Sequence, residues 1–123
     1  SSVLLTGALG TLGRAQAPAF AGEGASLLLL DRPGVAAGPS FAQEISALGA
    51  TALYVGRDLN DLEASAATAR RLSDEREGID ILINNAALIV NRLFEDFSTA
   101  EYEDRVRVNS SAAFTPARAL APA

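Results

Sequence analysis

At 123 residues, with 49% apolar side chains and a net charge of −5, the chain is one domain with material for a real core. The acidic balance excludes a nucleic-acid or anionic-membrane surface, which would want a basic patch, and no apolar stretch approaches the ~20 residues that cross a bilayer. Cys, His and Met are absent and all ten basic residues are Arg, which removes disulfides, zinc and iron–sulfur sites, thiolate and Schiff-base chemistry and the P-loop ammonium.

Four apolar runs of strand length follow in chain order: Val3 to Leu5, Ser26 to Leu30, Thr51 to Val55 and Ile79 to Ile83. Runs this continuous suit strands covered on both faces, as in a parallel sheet. The segments between them are too long for hairpins and right for helical crossovers. A helix is expected over Asp61 to Glu77, stopped by Gly78, with Arg70, Arg71 and Arg76 towards its negative end.

Ser98-Thr-Ala-Glu101 forms a capping box that opens the last helix, with Phe97 and Tyr102 at the staple positions. Tyr102, Val106, Asn109 and Ala113 then fall on one helical face. Pro18 and Pro116 sit inside helices and should each bend one, since proline removes an amide. The order β-α-β-α-β-α-β-α predicts one α/β domain over residues 1–123, a doubly wound parallel sheet.

In such a sheet, ligands bind outside the carboxyl ends of the strands, and four short motifs fall there. The first is TGALGTLG, with Gly7, Gly10 and Gly13 at every third residue. Its glycines allow a sharp turn and a close ligand approach, and the next helix offers unpaired amides to a diphosphate. They would equally serve a tight turn with no ligand. Asp31 closes the second strand, 18 residues past Gly13, where a carboxylate can accept both hydroxyls of an adenosine ribose or merely cap the turn before Pro33-Gly34.

Asp58-Leu59, in GRDLND, offers a carboxylate to an adenine amino group and an apolar side chain to its ring, or else simple turn chemistry. Asn84-Asn85-Ala86-Ala87 follows the fourth strand: two amides that can bond backbone, then two small residues that let a cofactor pass.

Taken together, TGALGTLG, DR, RDLND, NNAA and RVNSSAAF resemble, in order and separation, the short-chain dehydrogenases/reductases. The resemblance spans essentially all 123 residues; NNAA with the downstream Val-Asn is its specific part. It implies a Rossmann-type, NAD(P)-binding sheet. Gly7 and Gly13 match the outer glycines of the pyrophosphate loop, and Leu12 offers its amide. Thr11 stands where the middle glycine belongs, a departure that also fits the loop of the family's extended branch. NNAA and the Val-Asn helix assign the chain to the single-domain branch.

Asp31 matches the acid of NAD-preferring members, and Gly10 stands where many NADP-preferring ones carry a base; Arg32 is the contrary sign. Asp58 and Leu59 match the adenine contacts, and Asn84, Asn85, Ala86 and Ala87 the motif that steadies the sheet and lines the ribose. Asn109 matches the catalytic-tetrad Asn whose backbone holds a water of the proton relay.

The family's catalytic Ser and Tyr-x-x-x-Lys follow on the next strand and helix, and Tyr102 has Val106, not Lys, four residues on. The opening SSVLLTG starts at the first strand without Met. Both ends therefore read as cuts in a longer polypeptide, with a sheet incomplete at its C-terminal side after the fourth βα unit and an unpaired edge there.

The expected function is a cytoplasmic, NAD-dependent interconversion of an alcohol and a ketone by the intact enzyme, with NADP disfavoured. Its partner is a small-molecule substrate rather than nucleic acid or membrane. A homo-oligomer, dimer or tetramer, is expected: the resemblance implies packing of this last helix against a symmetry mate, and its Ala112, Ala113 and Ala117 would allow that close approach or simply pack on the sheet. These residues alone should bind cofactor without turnover. A non-catalytic dinucleotide sensor is the rival reading. A receiver-type signalling domain fits the length but wants clustered acids after the first strand and a Lys.

Overall fold

A computed structural model describes residues 1–86 and 98–121. Its elements run β1 (Ser2–Thr6), α1 (Thr11–Gly22), β2 (Ser26–Asp31), α2 (Ala37–Ser46), β3 (Ala52–Gly56), α3 (Leu62–Glu75), β4 (Ile81–Ile83), α4 (Thr99–Val106) and α5 (Ala112–Leu120), the last two joined by a π-helical turn, Arg107–Ser111. All strands are parallel and lie in the order β3-β2-β1-β4. The chain winds outward from β1 to β3, then returns to the other side of β1. That reversal is the doubly wound arrangement anticipated from the apolar runs, and it opens a crevice at the carboxyl ends of β1 and β4.

Alternation along each strand divides the core in two. Val3, Leu5, Leu27 and Leu29 face one way and pack with Ala17, Ala21, Phe41 and Ile45 of α1 and α2. Leu4, Leu28 and Leu30 face the other way, against Ala69 and Leu72 of α3 and Ala119 and Leu120 of α5. Each fully buried leucine contributes about 1.5–3 kcal/mol. Residues covered on both sides explain why the strands read as unbroken apolar runs.

β4 and the third helix have boundaries away from their expected places. β4 starts at Ile81, not Ile79, because Ile79 packs under the second core face while Asp80 bonds the start of β1: its amide donates to the Ser2 carbonyl at 2.9 Å and its carboxylate accepts the Ser2 amide at 2.8 Å. The third helix begins after Asp61, whose carboxylate caps it by accepting the Ala64 amide at 3.1 Å. It ends at Glu75: Glu77 takes the left-handed conformation (φ 59°) and Gly78 donates to the Ser73 carbonyl at 2.7 Å, a Schellman closure. The stop thus comes before the position expected from Gly78 alone.

The prolines are met differently. Pro18 leaves α1 helical from Thr11 to Gly22, at the loss of the amide that would bond back to the carbonyl of Arg14. Pro116 is buried, and the break in that helix falls one turn earlier, where the Ala112 amide reaches five residues back to the Arg107 carbonyl. The N-cap half of the capping box forms, with the Ser98 hydroxyl accepting the Glu101 amide at 3.1 Å. Its staple partner Phe97 lies outside the described residues. Among the described residues no helix is long and apolar enough to cross a membrane.

Candidate functional site

A cavity of about 640 Å³ opens at the carboxyl end of the sheet. One wall is the glycine loop, from Gly7 to Leu12. The ends of β2 and β3 contribute Asp31, Arg32 and the stretch Arg57 to Asn60. Asn85 and Ala86 close the β4 side, and Asp104 and Val108 reach in from α4 and the π turn.

The glycine loop is built by close approach. Gly7 has φ +65°, and a Cβ there would lie 2.8 Å from the Ala86 Cα. A Cβ on Gly13 would meet the carbonyl oxygens of Gly7 at 2.5 Å and Ala8 at 2.7 Å. Gly13, Ala17 and Ala21 are the buried stripe of α1, so the helix lies tight on the sheet with its N-terminus at the cavity.

Gly10 is the N-cap, with ordinary extended angles (φ −75°, ψ 173°), and Thr11 is the first helical residue, exposed beside Leu12. Thr11, which stands where the middle glycine was expected, is exposed and lines the cavity. α1 has no side-chain cap and no acid in its first turn, so its leading amides and positive dipole end are available to an anion.

A buried hydroxyl locks the other wall. Thr6, at the end of β1, accepts the amides of Asn85 and Ala86, both at 3.2 Å, and donates to the Ile83 carbonyl at 3.4 Å. The Asn85 side chain donates to the Gly7 carbonyl at 3.2 Å. Asn85 is therefore the member of the Asn-Asn pair that ties β4 to the glycine loop. Asn84 is exposed and does not line the cavity, and Ala87 lies outside the described residues.

Asp31 acts as a clamp. Its Oδ2 accepts the Leu9 amide and its Oδ1 the Arg32 amide, each at 2.8 Å. Beside it, the Tyr54 hydroxyl donates to the Arg32 carbonyl. Burial and then the Asp31 charge push the Tyr54 phenol above its ordinary value, with Arg32 opposing. Asp58 lines the cavity while its Oδ1 accepts the Asn60 amide at 2.9 Å, so turn chemistry and a cavity-facing carboxylate coexist. Leu59 reaches both the cavity and the second core face.

Asn109 sits in the π turn and is exposed; the residue before it, Val108, lines the cavity. The helical face read through Tyr102, Val106 and Asn109 is likewise exposed, and burial falls on Ala112 and Pro116, because the π turn shifts the register. Residues not singled out in the sequence also shape the site: Thr6, Leu9, Arg57, Asn60, Asp104 and Val108. Thr6 had a signal, a polar residue closing an apolar strand. The described residues contain no group of three or more acids that could hold a metal.

The fit to a dinucleotide rests on this geometry: a loop that Gly7 and Gly13 draw tight against β4 and its own carbonyls, open helix amides and a strand-end acid beside them. The family model for short chain dehydrogenase matches residues 1–123. An L-rhamnose 1-dehydrogenase (NAD(P)(+)) of Azotobacter vinelandii is 32% identical over 123 residues, 98% of this chain and 48% of that protein. A galactitol 2-dehydrogenase of Agrobacterium fabrum is 35% identical over 106 residues, 86% of this chain and 40% of that protein.

Among solved structures, a protein of Beutenbergia cavernae assigned as an NAD(P)-dependent gluconate 5-dehydrogenase, with NADP at low occupancy, superposes with TM-score 0.88. It is 34% identical over 97% of this chain and 47% of its own. The chain spans about half the length of the curated relatives it matches.

Proposed function

Because the chain belongs to the short-chain dehydrogenase family, we propose that it forms the cofactor-binding half of an oxidoreductase that interconverts an alcohol and a ketone on a small molecule. The observation that carries this reading is the convergence of the glycine loop, the Asp31 clamp and the Thr6–Asn85 lock on one cavity at the topological switch.

A nicotinamide dinucleotide held there would supply the hydride acceptor or donor. The chain's own residues do the holding. The first amides of α1, with Leu12 among them, would meet the diphosphate charge, and Gly7 and Gly13 keep the loop tight enough to present them. Asp31, which ends β2 and lines the cavity, takes the ribose in this reading, and its charge together with Gly10 favours NAD. Asp58 and Leu59 serve the adenine, and Asn85 and Ala86 keep the β4 wall in place. Asn109, in the π turn, takes the role of the residue whose backbone holds a water of the proton relay.

No Lys, and so no Tyr-x-x-x-Lys, occurs in these 123 residues, and this stretch alone is expected to bind without turning over. The intact enzyme is expected to be a cytoplasmic homo-oligomer.

The test is to incubate the full polypeptide carrying this chain with NAD and a panel of secondary alcohols, sugar alcohols included, and to follow NADH. Turnover supports the oxidoreductase reading. Saturable NAD binding without turnover on any alcohol or ketone would favour a dinucleotide sensor instead. NADH formed by residues 1–123 alone would overturn the assignment of chemistry to groups outside them.

A further inference from the structure

Arg14 holds the glycine loop with both its backbone and its side chain. Its amide donates to the Gly10 carbonyl at 2.9 Å and closes the first turn of α1, so the amides of Thr11, Leu12 and Gly13 precede it without intrahelical partners. Its Nε donates to the Leu9 carbonyl at 3.0 Å. Two successive carbonyls of the loop are therefore drawn to Arg14. Leu9 and Gly10 line the cavity, and Arg14 does not.

The neighbouring bonds show what the side chain adds. Asp31 accepts the Leu9 amide at 2.8 Å, and the Gly7 carbonyl accepts the Gly10 amide at 3.1 Å. The peptide group between Leu9 and Gly10 is thus fixed at its N–H by Gly7 and at its C=O by Arg14. The guanidinium is steadied in turn. Its central carbon lies 5.0 Å from the centroid of the Phe41 ring, which belongs to α2 and is buried in the first core face.

We propose that Arg14 is a positioning residue for the diphosphate of the dinucleotide: by holding the Leu9 carbonyl to α1, it leaves the mouth of that helix to N–H groups. This rests on the dinucleotide reading above and adds to it a residue outside the cavity. A peptide group released at its C=O can turn over. The oxygen it then presents would repel a diphosphate where the leading amides of α1 attract one. The contribution comes from where the Nε donor sits, not from the charge of the guanidinium.

The experiment is calorimetric titration of the full polypeptide with NAD, in two variants that separate donor from charge. Gln carries a neutral N–H donor, its Nε2, at the same place along the side chain as the Arg Nε; Met has the same reach and no donor. Arg14→Met should weaken NAD about tenfold, and Arg14→Gln should stay within about threefold of the unaltered protein. Arg14 is exposed, so both variants should melt close to the parent. Arg14→Leu replaces Arg14→Met if that variant fails to fold.

Equal weakening by Arg14→Met and Arg14→Gln would overturn the proposal, because the charge and not the donor would then be responsible. So would an Arg14→Met protein with unchanged NAD affinity, whatever its melting temperature. Either result leaves the dinucleotide reading standing. If the folded, unaltered protein does not bind NAD, the dinucleotide reading falls and this one with it.

Discussion

The Asp31 carboxylate holds the Leu9 amide at 2.8 Å, across 22 residues of chain, so the end of β2 and the glycine loop behave as one unit. Asp31→Ala would strand two amides, those of Leu9 and Arg32, beside a side chain only 15% exposed. A hydrogen bond to a charged group contributes about 1.5–3 kcal/mol, and that is the loss expected in a urea titration. Asp31→Asn, which keeps one acceptor oxygen, should lose less. Equal stability of the Ala variant and the parent would show that the clamp contributes nothing.

The three glycines of the loop should not respond alike. A methyl group on Gly13 would be driven into two backbone carbonyls, neither free to swing away, so Gly13→Ala should cost about 1–3 kcal/mol. Gly10 has φ −75° and only the Gly7 carbonyl nearby, at 3.3 Å, so Gly10→Ala should stay within about 0.5 kcal/mol. Thermal melts of the two variants would separate them. A Gly10→Ala loss as large as that of Gly13→Ala would contradict this account of the loop.

A polar latch joins the β3–α3 turn to α4. Asp104 accepts from Arg107 at 3.0 Å and from the Asn60 side-chain amide nitrogen at 3.3 Å, and Arg107 also donates to Asn60 Oδ1 at 3.2 Å. Asp104 and Arg107 are both partly exposed, so their ion pair adds at most about 1 kcal/mol to stability. Its greater effect should be on position, because Asn60 adjoins Asp58 and Leu59. Asp104→Ala is expected to weaken 5′-AMP binding severalfold with little change in melting temperature. A large fall in melting temperature with unchanged affinity would assign the latch to stability instead.

Tyr54 supplies the pH dependence. Its phenol is raised by burial and then by Asp31, above the usual value of about 10. The folded state therefore holds this proton more tightly than the unfolded chain does. The resulting stability is complete below the unfolded value and is lost as pH rises through the folded one. Phenolate absorbance should show one tyrosine titrating late, and that step should vanish in Tyr54→Phe. The variant should also lose the part of the alkaline fall in stability that this phenol contributes. A Tyr54 titrating at or below the ordinary value would contradict the finding.

The strands were legible because Leu4, Leu28 and their neighbours are covered on both faces, and parallel strands of that kind leave an apolar run in any order of composition. Gly7, Asp31 and Asn85 were legible because the ends of such strands are where ligands and loops meet. Asp104 was not, since only the fold brings it across 44 positions to Asn60. Arg57 was passed over because an arginine in a polar turn usually faces water, and its anchor, Thr68, lies on the next helix. The π turn has no local signature beyond Pro116 downstream, and it is what displaces the face expected to carry Asn109.

The most direct measurement of the central claim is the binding of NAD to the full polypeptide, followed by calorimetry beside Gly13→Ala. The account predicts one saturable site of about micromolar affinity or tighter, weakened about tenfold or more when Gly13 gains its methyl group. No detectable NAD binding by the folded protein, or binding indifferent to Gly13→Ala, would contradict it.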